Sequence, residues 1–374
     1  MGHMLGKAEV VQLASGEWAA VYGNGYHSAS KKAVLYLVNV QSGALIKKID
    51  TSTLFPSAAG TTVPNGLSTP TFEVNTKRQV ITAYAGDLHG NLWKFDLSDI
   101  STDNWKVAYG GTPLFSAKNS SNQAQPIIQK PAIGRHPKGG YMVNFGTGKY
   151  FDTDDGGTTQ VQSAYGIWDK PPSPLNTGTA QVAKSQLKSH TLSTDSKVST
   201  VDINWLNDRG WYIDLSTISG ERAIGNPKIQ DEIFWMTTLI PVGSLCSTGG
   251  DSRILGVNYL SGNSVAPIFD TNGDGIIDAS DTDKSIDYMP GTTADFRLLQ
   301  KDNPLCGAPG QPACSDALCG VLGKPDCPKC GVPGKPDCPC DLFATGLDGS
   351  ITKLSVTCPK PASFRTWRQL STSY

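Results

Sequence analysis

The densest group of side chains that could bind a cation lies between residues 270 and 281. The segment DTNGDGIID begins at Asp270 and matches D-x-[DN]-x-[DN]-G, the opening of an EF-hand-type calcium loop. Ca²⁺ is a hard ion that takes oxygen ligands, and side chains at alternate positions of a tight turn converge on one point. Gly275 permits the sharp bend that this convergence needs. The predicted ligands are Asp270, Asn272, Asp274, the backbone carbonyl of Ile276, and Asp278, which binds directly or through water.

Asp281 occupies position 12 of the loop, where an EF-hand has a longer, bidentate Glu, and it is a further candidate ligand. The flanking residues do not predict the paired helices of an EF-hand, because the segment 263–269 contains Pro267 and reads as extended chain. The sequence therefore favours a calcium turn carried on a β scaffold. The alternative is a solvated turn rich in Asp and Asn.

A second acidic turn contains Asp152, Asp154 and Asp155 and ends in two glycines. It lacks a ligand at position 5 of the motif and a later carboxylate. We expect an ordinary hairpin loop there, and a metal site is the alternative.

Motifs of catalysis are missing from the sequence. No G-x-S-x-G, G-x-x-x-x-G-K-[ST] or H-E-x-x-H pattern occurs, and the five histidines are scattered along the chain. His89 sits in a turn and is expected at the surface rather than as a catalytic base. The sequence therefore predicts a protein that is not an enzyme.

The nine cysteines are concentrated near the end of the chain, where eight of them follow residue 300. The pattern C-G-x-x-G-x-P-x-C occurs three times, at 306–314, 319–327 and 330–338. Local disulfides that close these loops, formed in an oxidising compartment, explain the repeat best. A zinc site at the CxxC of Cys327 and Cys330, or free thiols, are the alternatives. The odd number of cysteines leaves one unpaired or bonded elsewhere.

The elements that must position these groups are predicted to be short strands. Gly and Pro are dense, with 40 and 24 residues of 374, which disfavours long helices. The net charge of -1 argues against general binding to nucleic acid, and no apolar stretch is long enough for a membrane-spanning helix. Apolar runs rich in β-branched and aromatic residues, bounded by turn residues, predict strands. These runs are 33–40, 80–85, 141–145, 233–239, 254–259 and 351–356.

A long period runs through the turn glycines at positions 43, 90, 220, 262 and 349. Their spacings are close to one, three, one and two units of about 43 residues, a period typical of propeller blades. We therefore predict an all-β fold, a modified β-propeller of about seven four-stranded blades. Coincidence among abundant glycines, or a β-sandwich, is the alternative.

The predicted propeller is a single domain over residues 8–374, preceded at 1–7 by a cloning remnant and lead-in. Departures from the period predict insertions at about 170–200 and 263–340. The second insertion carries the calcium loop at 270–281 and the cysteine repeats at 306–340. Within the first, residues 185–190 are expected to form a helical turn or two.

Seven phrases, in order along the chain, carry a resemblance to a known family. They lie at 16–26, 86–96, 145–150, 165–169, 209–214, 220–222 and 238–241. On these phrases the chain resembles the C-terminal domain of the PilC/PilY family of type IV pilus-associated proteins, over about residues 8–300 and again 341–358. The cysteine repeats are not part of that resemblance, and no Arg-Gly-Asp tripeptide occurs.

The resemblance implies a modified β-propeller at the surface, outer membrane or pilus tip of a Gram-negative bacterium, reached through the periplasm. It implies support of pilus biogenesis by opposing retraction, a role in twitching motility, and adhesion to host cells or abiotic surfaces. The implied partners are pilus components, either minor pilins or the remainder of a full-length protein. The loop at 270–278 is similar to the family's regulatory calcium site. A quinoprotein-like propeller dehydrogenase and a carbohydrate-active propeller are the alternative functions.

Overall fold

Strands make up nearly all the regular structure in the part of the chain that can be described. The computed structural model describes residues 2–28, 30–51, 64–171, 181–241, 250–273 and 277–289, and the backbone of strands at 293–300, 339–346 and 351–357. Within these residues the helices are 3₁₀ turns of three residues each. None of these residues forms a helix with the length and apolar character that crossing a bilayer requires. The all-β prediction is confirmed.

The first sheet has nine strands and begins with an antiparallel meander of four. A second antiparallel group follows and joins the first through a short parallel pairing of β1 with β6. The strands are β1 (Glu9–Leu13), β2 (Trp18–Gly23), β3 (Val34–Asn39), β4 (Leu45–Asp50), β5 (Thr71–Val74), β6 (Gln79–Gly86), β7 (Asn91–Asp96), β8 (Lys106–Val107) and β9 (Phe115–Ser116).

The second and third sheets have five strands each. The second has the order β10-β11-β12-β14-β13, and the third has β15-β17-β18-β19 with β16 beside β17. The strands of the second sheet are β10 (Ala132–Arg135), β11 (Tyr141–Gly146), β12 (Ser163–Asp169), β13 (Lys188–His190) and β14 (Gly210–Asp214). Those of the third are β15 (Arg222–Ala223), β16 (Lys228–Gln230), β17 (Ile233–Pro241), β18 (Gly250–Asn258) and β19 (Ile286–Met289).

A three-stranded antiparallel sheet completes the described strands. It contains β20 (Thr293–Gln300), β21 (Pro339–Gly346) and β22 (Ile351–Thr357), in that order. Successive sheets built mainly of antiparallel strands are typical of a propeller. The number of blades stays a prediction, as do the domain boundaries. The cysteine repeats and Cys246 lie outside the described residues.

Part of the first predicted insertion is a strand rather than a helical turn. Lys184–Gln186 makes a single 3₁₀ turn, and β13 then pairs in parallel with β14. The expectation of helix over residues 185–190 was therefore wrong beyond this first turn. The reason is tertiary: the edge of β14 offers backbone hydrogen bonds that a short local helix lacks.

Large aromatic side chains fill the space between the sheets. Trp93, Trp168, Trp211 and Trp235 are all at most 2% exposed, and they come from strands of three different sheets. Such side chains contribute a large share of the buried apolar area. They pack the faces that single meanders cannot bury alone.

The turns that follow β3 and β18 are built in the same local way. The side chain of Asn39 accepts the backbone N–H groups of Gln41 and Ser42, at 3.0 and 2.9 Å. Asn258 accepts those of Leu260 and Ser261 in the same way, both at 3.0 Å. The glycine that ends each of these turns has a positive φ of 70°, which a residue with a Cβ adopts at a cost. Two of the glycines that carry the predicted period, Gly43 and Gly262, therefore end turns of the same construction.

His136 is buried in an aromatic cage beside the second sheet. Its ring stacks on Trp168 with centroids 4.1 Å apart and meets Trp205 edge-on at 4.4 Å. The ring accepts the backbone N–H of Lys138 at Nδ1, so the proton of the neutral form lies on Nε2. Burial, helped by the charge of Lys138, lowers the pKa of His136 to about 4.

We expect this histidine to make the protein less stable in acid. Its pKa is lower in the folded state than in the unfolded chain, where it is about 6.5, so the unfolded state binds the proton more readily. The free energy of unfolding should therefore fall as the pH drops from about 6.5 towards 4. In His136→Asn, which keeps an acceptor for Lys138, that slope should be shallower. Denaturant unfolding at several pH values measures it, and parallel pH profiles would refute the assignment.

Candidate functional site

The predicted metal loop projects from the third sheet between two paired strands. β18 and β19 lie side by side, so the chain from residue 263 to 285 leaves and re-enters the sheet at neighbouring points. The hydroxyls of Ser264 and Ser285 hydrogen-bond at 2.9 Å across this base. The base also contacts the segment 196–201, because Ser285 donates its N–H to the carbonyl of Ser196 at 2.8 Å. Asn263 accepts the N–H of Val201 at 2.9 Å.

Asp281 braces both sides of the loop. Its Oδ1 accepts the backbone N–H groups of Thr271 and Asn272, at 2.7 and 3.3 Å, and its Oδ2 accepts that of Asp278 at 2.9 Å. Burial disfavours its charge, but these N–H donors outweigh that effect, so the pKa of Asp281 lies below its usual range. The carboxylate therefore holds the first and last parts of the loop together.

The first residue of the loop already makes the turn that the motif predicts. Asp270 Oδ1 accepts the N–H of Gly273 at 2.7 Å, and Gly273 has a φ of 79°. Near the other end, Asp278 Oδ1 accepts both the hydroxyl and the N–H of Ser280, at 2.7 and 2.8 Å. These two bonds lower the pKa of Asp278, which is thus ionised at neutral pH.

The structure describes only some of the predicted calcium ligands. Asp270, Asn272, Asp278 and Asp281 are described, whereas Asp274 and Ile276 lie outside the described residues. In the described part of the chain, no three His, Cys, Asp or Glu side chains come close enough together to hold a metal ion. The donors that are described are carboxylate and amide oxygens, which is the chemistry that Ca²⁺ requires. The residues fit the ion, and the ligand set stays a prediction.

In the second acidic turn, a lysine side chain neutralises the carboxylates. Lys149 Nζ contacts the carboxylates of Asp152, at 2.5 Å, and Asp155. Asp155 also accepts the N–H groups of Phe151 and Asp152, at 2.9 and 2.8 Å. Arg222 ties the turn to β15 by donating to the carbonyls of Asp155 and Lys149, at 2.8 and 3.1 Å. The lysine ammonium balances the acidic groups, as in an ordinary loop.

Glu221, Asp87 and Asp169 are buried carboxylates, and each accepts several hydrogen bonds from the residues around it. We call these three clusters polar nodes; the sequence did not reveal them. Glu221 and Arg253 pair within the third sheet, where their side chains are 0% and 3% exposed. Arg253 Nε donates to Glu221 Oε1 at 2.9 Å, and Nη2 also contacts Oε2. Arg253 donates further to Thr217 Oγ1 at 3.0 Å. The two charges are therefore fully paired away from water.

Asp87 is a second such node, in the turn between β6 and β7. This carboxylate is 0% exposed and accepts five hydrogen bonds. Its Oδ1 accepts the N–H groups of His89 and Asn91, each at 2.9 Å. Its Oδ2 accepts from Trp93 Nε1 at 2.8 Å and from the side-chain amides of Asn65 and Asn91, each at 3.1 Å. His89, expected at the surface, lies in this turn and is half-buried.

A third node joins the first sheet to the second. Asp169 at the end of β12 accepts hydrogen bonds from Tyr84 at 2.6 Å and from Lys94 at 2.7 Å, and it also contacts Tyr109. Burial and the nearby Asp169 carboxylate raise the pKa of Tyr84 well above its ordinary value, so the phenol stays a donor. The node fixes the two sheets against each other.

Comparison with known proteins identifies the fold. The family model of the PilY1 beta-propeller domain matches residues 1–204. The chain is also similar to a crystal structure of the Pseudomonas aeruginosa PilY1 C-terminal domain, with a TM-score of 0.69 and 26% identity. That match covers 93% of this chain and 71% of the other.

Similar full-length relatives are much longer than this chain. It is 33% identical over 322 residues to the type IV pilus biogenesis factor PilY1 of Pseudomonas aeruginosa, a match covering 75% of this chain and 27% of that protein. It is 35% identical over 282 residues to a Xylella fastidiosa homolog of that factor, covering 70% of this chain and 19% of the relative. The chain thus spans about a quarter of the length of such relatives. With these matches and the all-β fold, the chain belongs to the PilY1 β-propeller family.

Proposed function

We propose that the chain is the calcium-binding, non-enzymatic propeller module of a type IV pilus-associated protein. Membership of the PilY1 family is the observation that carries this proposal, because its full-length relatives are named as type IV pilus biogenesis factors. Location outside the cell, at the pilus tip or outer membrane, follows from the same function. Pilus components are then the partners, namely minor pilins or the remainder of a longer protein.

The loop provides a control point for this module. Side chains of Asp270, Asn272, Asp274 and Asp278, with the carbonyl of Ile276, would hold the ion. When bound, Ca²⁺ supplies the positive charge that lets these acidic groups lie close together. Without it, like charges repel, and the repulsion works against the turn that Asp270 makes.

The base of the loop can transmit the effect of calcium binding to the segment 196–201. Thr271 and Asp278 share the carboxylate of Asp281, so the two sides of the loop move together. Ser285 follows shortly after and bonds to both Ser196 and Val198. We infer that an ordered, calcium-bound loop holds the segment 196–201 in place. We further infer that the surface formed by this segment contacts the pilus component whose binding opposes retraction. Twitching motility and adhesion are the cellular roles that we propose this control affects.

Replacing Asp274 by alanine should remove most of the calcium affinity, because it deletes the central ligand of the motif. Isothermal titration calorimetry of the chain with Ca²⁺ measures this directly. Asp283→Ala removes the same charge from the same insertion without touching a predicted ligand, and it should bind like the parent protein. Unchanged affinity in Asp274→Ala would refute the site.

The control of retraction needs a separate experiment in cells. The same two substitutions, placed in the full-length protein, are compared for surface pili and for twitching in media with and without calcium. Asp274→Ala should behave in calcium as the parent does without it, and Asp283→Ala should not. If Asp274→Ala loses calcium binding in vitro but keeps a normal calcium response in cells, the control function is refuted while the site stands.

A further inference from the structure

A cavity separate in sequence from the metal loop opens beside β9. Its volume is about 450 Å³, which lies within the range typical of small-molecule sites. One wall is the segment 116–122 and the other is the segment 181–184. Of the described residues that line it, two are lysines, three carry side-chain amides, two are serines, and none is acidic.

Both walls are held by hydrogen bonds, so the cavity is preformed. The 181–184 wall is fixed to the residue just before β9, because Val182 donates its N–H to the carbonyl of Leu114 at 2.7 Å. Gln181 Nε2 reaches Ser116 Oγ at 3.3 Å. In the other wall, Asn119 and Gln123 join through their side chains at 2.8 Å. A preformed cavity loses little conformational freedom when it binds a ligand.

Lys184 links the two walls and carries a positive charge into the cavity. Its Nζ donates to the carbonyl of Lys118 at 2.7 Å and lies 4.4 Å from the centre of the Tyr212 ring. The nearest carboxylate oxygen, on Asp214, is 4.0 Å away and is not part of the lining. An ammonium has three donors, and the carbonyl of Lys118 takes one of them. The side chain of Lys118 is exposed at the rim and adds a second cation.

We propose that this cavity binds an anionic sugar, one that carries a carboxylate, such as a uronic or sialic acid. Lys118 has no ion-pair partner among the described residues, and Lys184 has only the Asp214 oxygen at 4.0 Å, so the two lysines favour a negatively charged ligand. The amides of Asn119, Asn122 and Gln181 and the serine hydroxyls provide donors and acceptors for sugar hydroxyls. The site gives the module a ligand of its own, independent of calcium.

The proposal is tested by measuring the binding of two acidic sugars, galacturonic acid and N-acetylneuraminic acid, by saturation-transfer NMR and calorimetry. Galactose is the neutral control. At least one acidic sugar should bind, more weakly as salt is added, while galactose should bind at least tenfold more weakly or not at all. Lys118→Gln, at an exposed position, and Lys184→Met, which keeps an unbranched side chain without the charge, should each weaken binding at least tenfold. Lys77→Gln, an exposed lysine in the turn between β5 and β6, should change nothing.

Four results would overturn the proposal. Neither acidic sugar binds, or galactose binds as tightly as the acidic sugars, or binding persists unchanged in both Lys118→Gln and Lys184→Met. Inorganic phosphate serves as a competitor, and complete displacement of the sugar by an equal concentration of phosphate would show an unselective anion site instead. Calcium titration of Lys118→Gln should match the parent protein, so failure here is distinguishable from failure of the metal loop.

Discussion

Glu221→Gln is expected to lower the free energy of unfolding by about 3–5 kcal/mol, because it leaves the guanidinium of Arg253 buried without a counter-charge. The pair is nearly inaccessible to water, and glutamine keeps the size of the side chain. The loss is therefore electrostatic rather than a loss of packing. Denaturant unfolding of the chain measures it.

Two comparisons separate this effect from a general intolerance of substitution. Glu17→Gln makes the same chemical change at an exposed position and should stay within about 0.5 kcal/mol of the parent protein. The double variant Glu221→Leu, Arg253→Met removes both charges and should be more stable than Glu221→Gln alone. If Glu221→Gln is no less stable than Glu17→Gln, the ion pair does not hold the third sheet.

Asp87→Ala is expected to cost at least about 3 kcal/mol, since it leaves several buried donors without an acceptor at once. Asn65, Asn91 and Trp93 lose their common partner, and so do the N–H groups of the turn. Asp87→Asn keeps an oxygen that can accept the two backbone N–H groups, but its NH₂ group cannot accept from the side-chain donors. Its stability should therefore lie between those of the parent protein and Asp87→Ala.

The control for Asp87 is Asp251→Ala, an exposed aspartate in β18, whose stability should stay close to that of the parent protein. Native-state hydrogen exchange adds a local readout: the amides of β6 and β7 should lose protection in Asp87→Ala before those of β17 and β18. Unchanged protection of β6 and β7, together with an unchanged free energy of unfolding, would contradict the role of this node.

The local features of the fold could be predicted from the sequence because their determinants are contiguous. Each of the six apolar runs overlaps a strand, and the run at 80–85 lies wholly inside β6. The turns at Asn39 and Asn258 were readable for the same reason: acceptor, donors and glycine fall within five residues. The metal motif is equally local, so its candidate ligands could be named in advance.

The polar nodes could not be predicted, because their partners are far apart in the chain. Glu221 and Arg253 are 32 residues apart, and Lys94 and Asp169 are 75 apart. Which of many charged residues meet depends on strand register and on how the sheets pack, and neither is visible in one sequence. Glu221 lies within a phrase that carried the family resemblance, yet only the fold shows that it pairs with Arg253. The brace formed by Asp281 was missed because position 12 suggested a ligand.

The closed base of the metal loop has an evolutionary consequence. The side chains of Ser264 and Ser285 hydrogen-bond across the base of the loop. The residues between them therefore form a side branch of the sheet, and the two ends of this branch stay together whatever its length. Lengthening such a branch costs little free energy, and β18 and β19 keep their register. If the loop binds Ca²⁺ as proposed, substitutions within this branch can therefore change its ion affinity between homologues without altering the sheet that presents it.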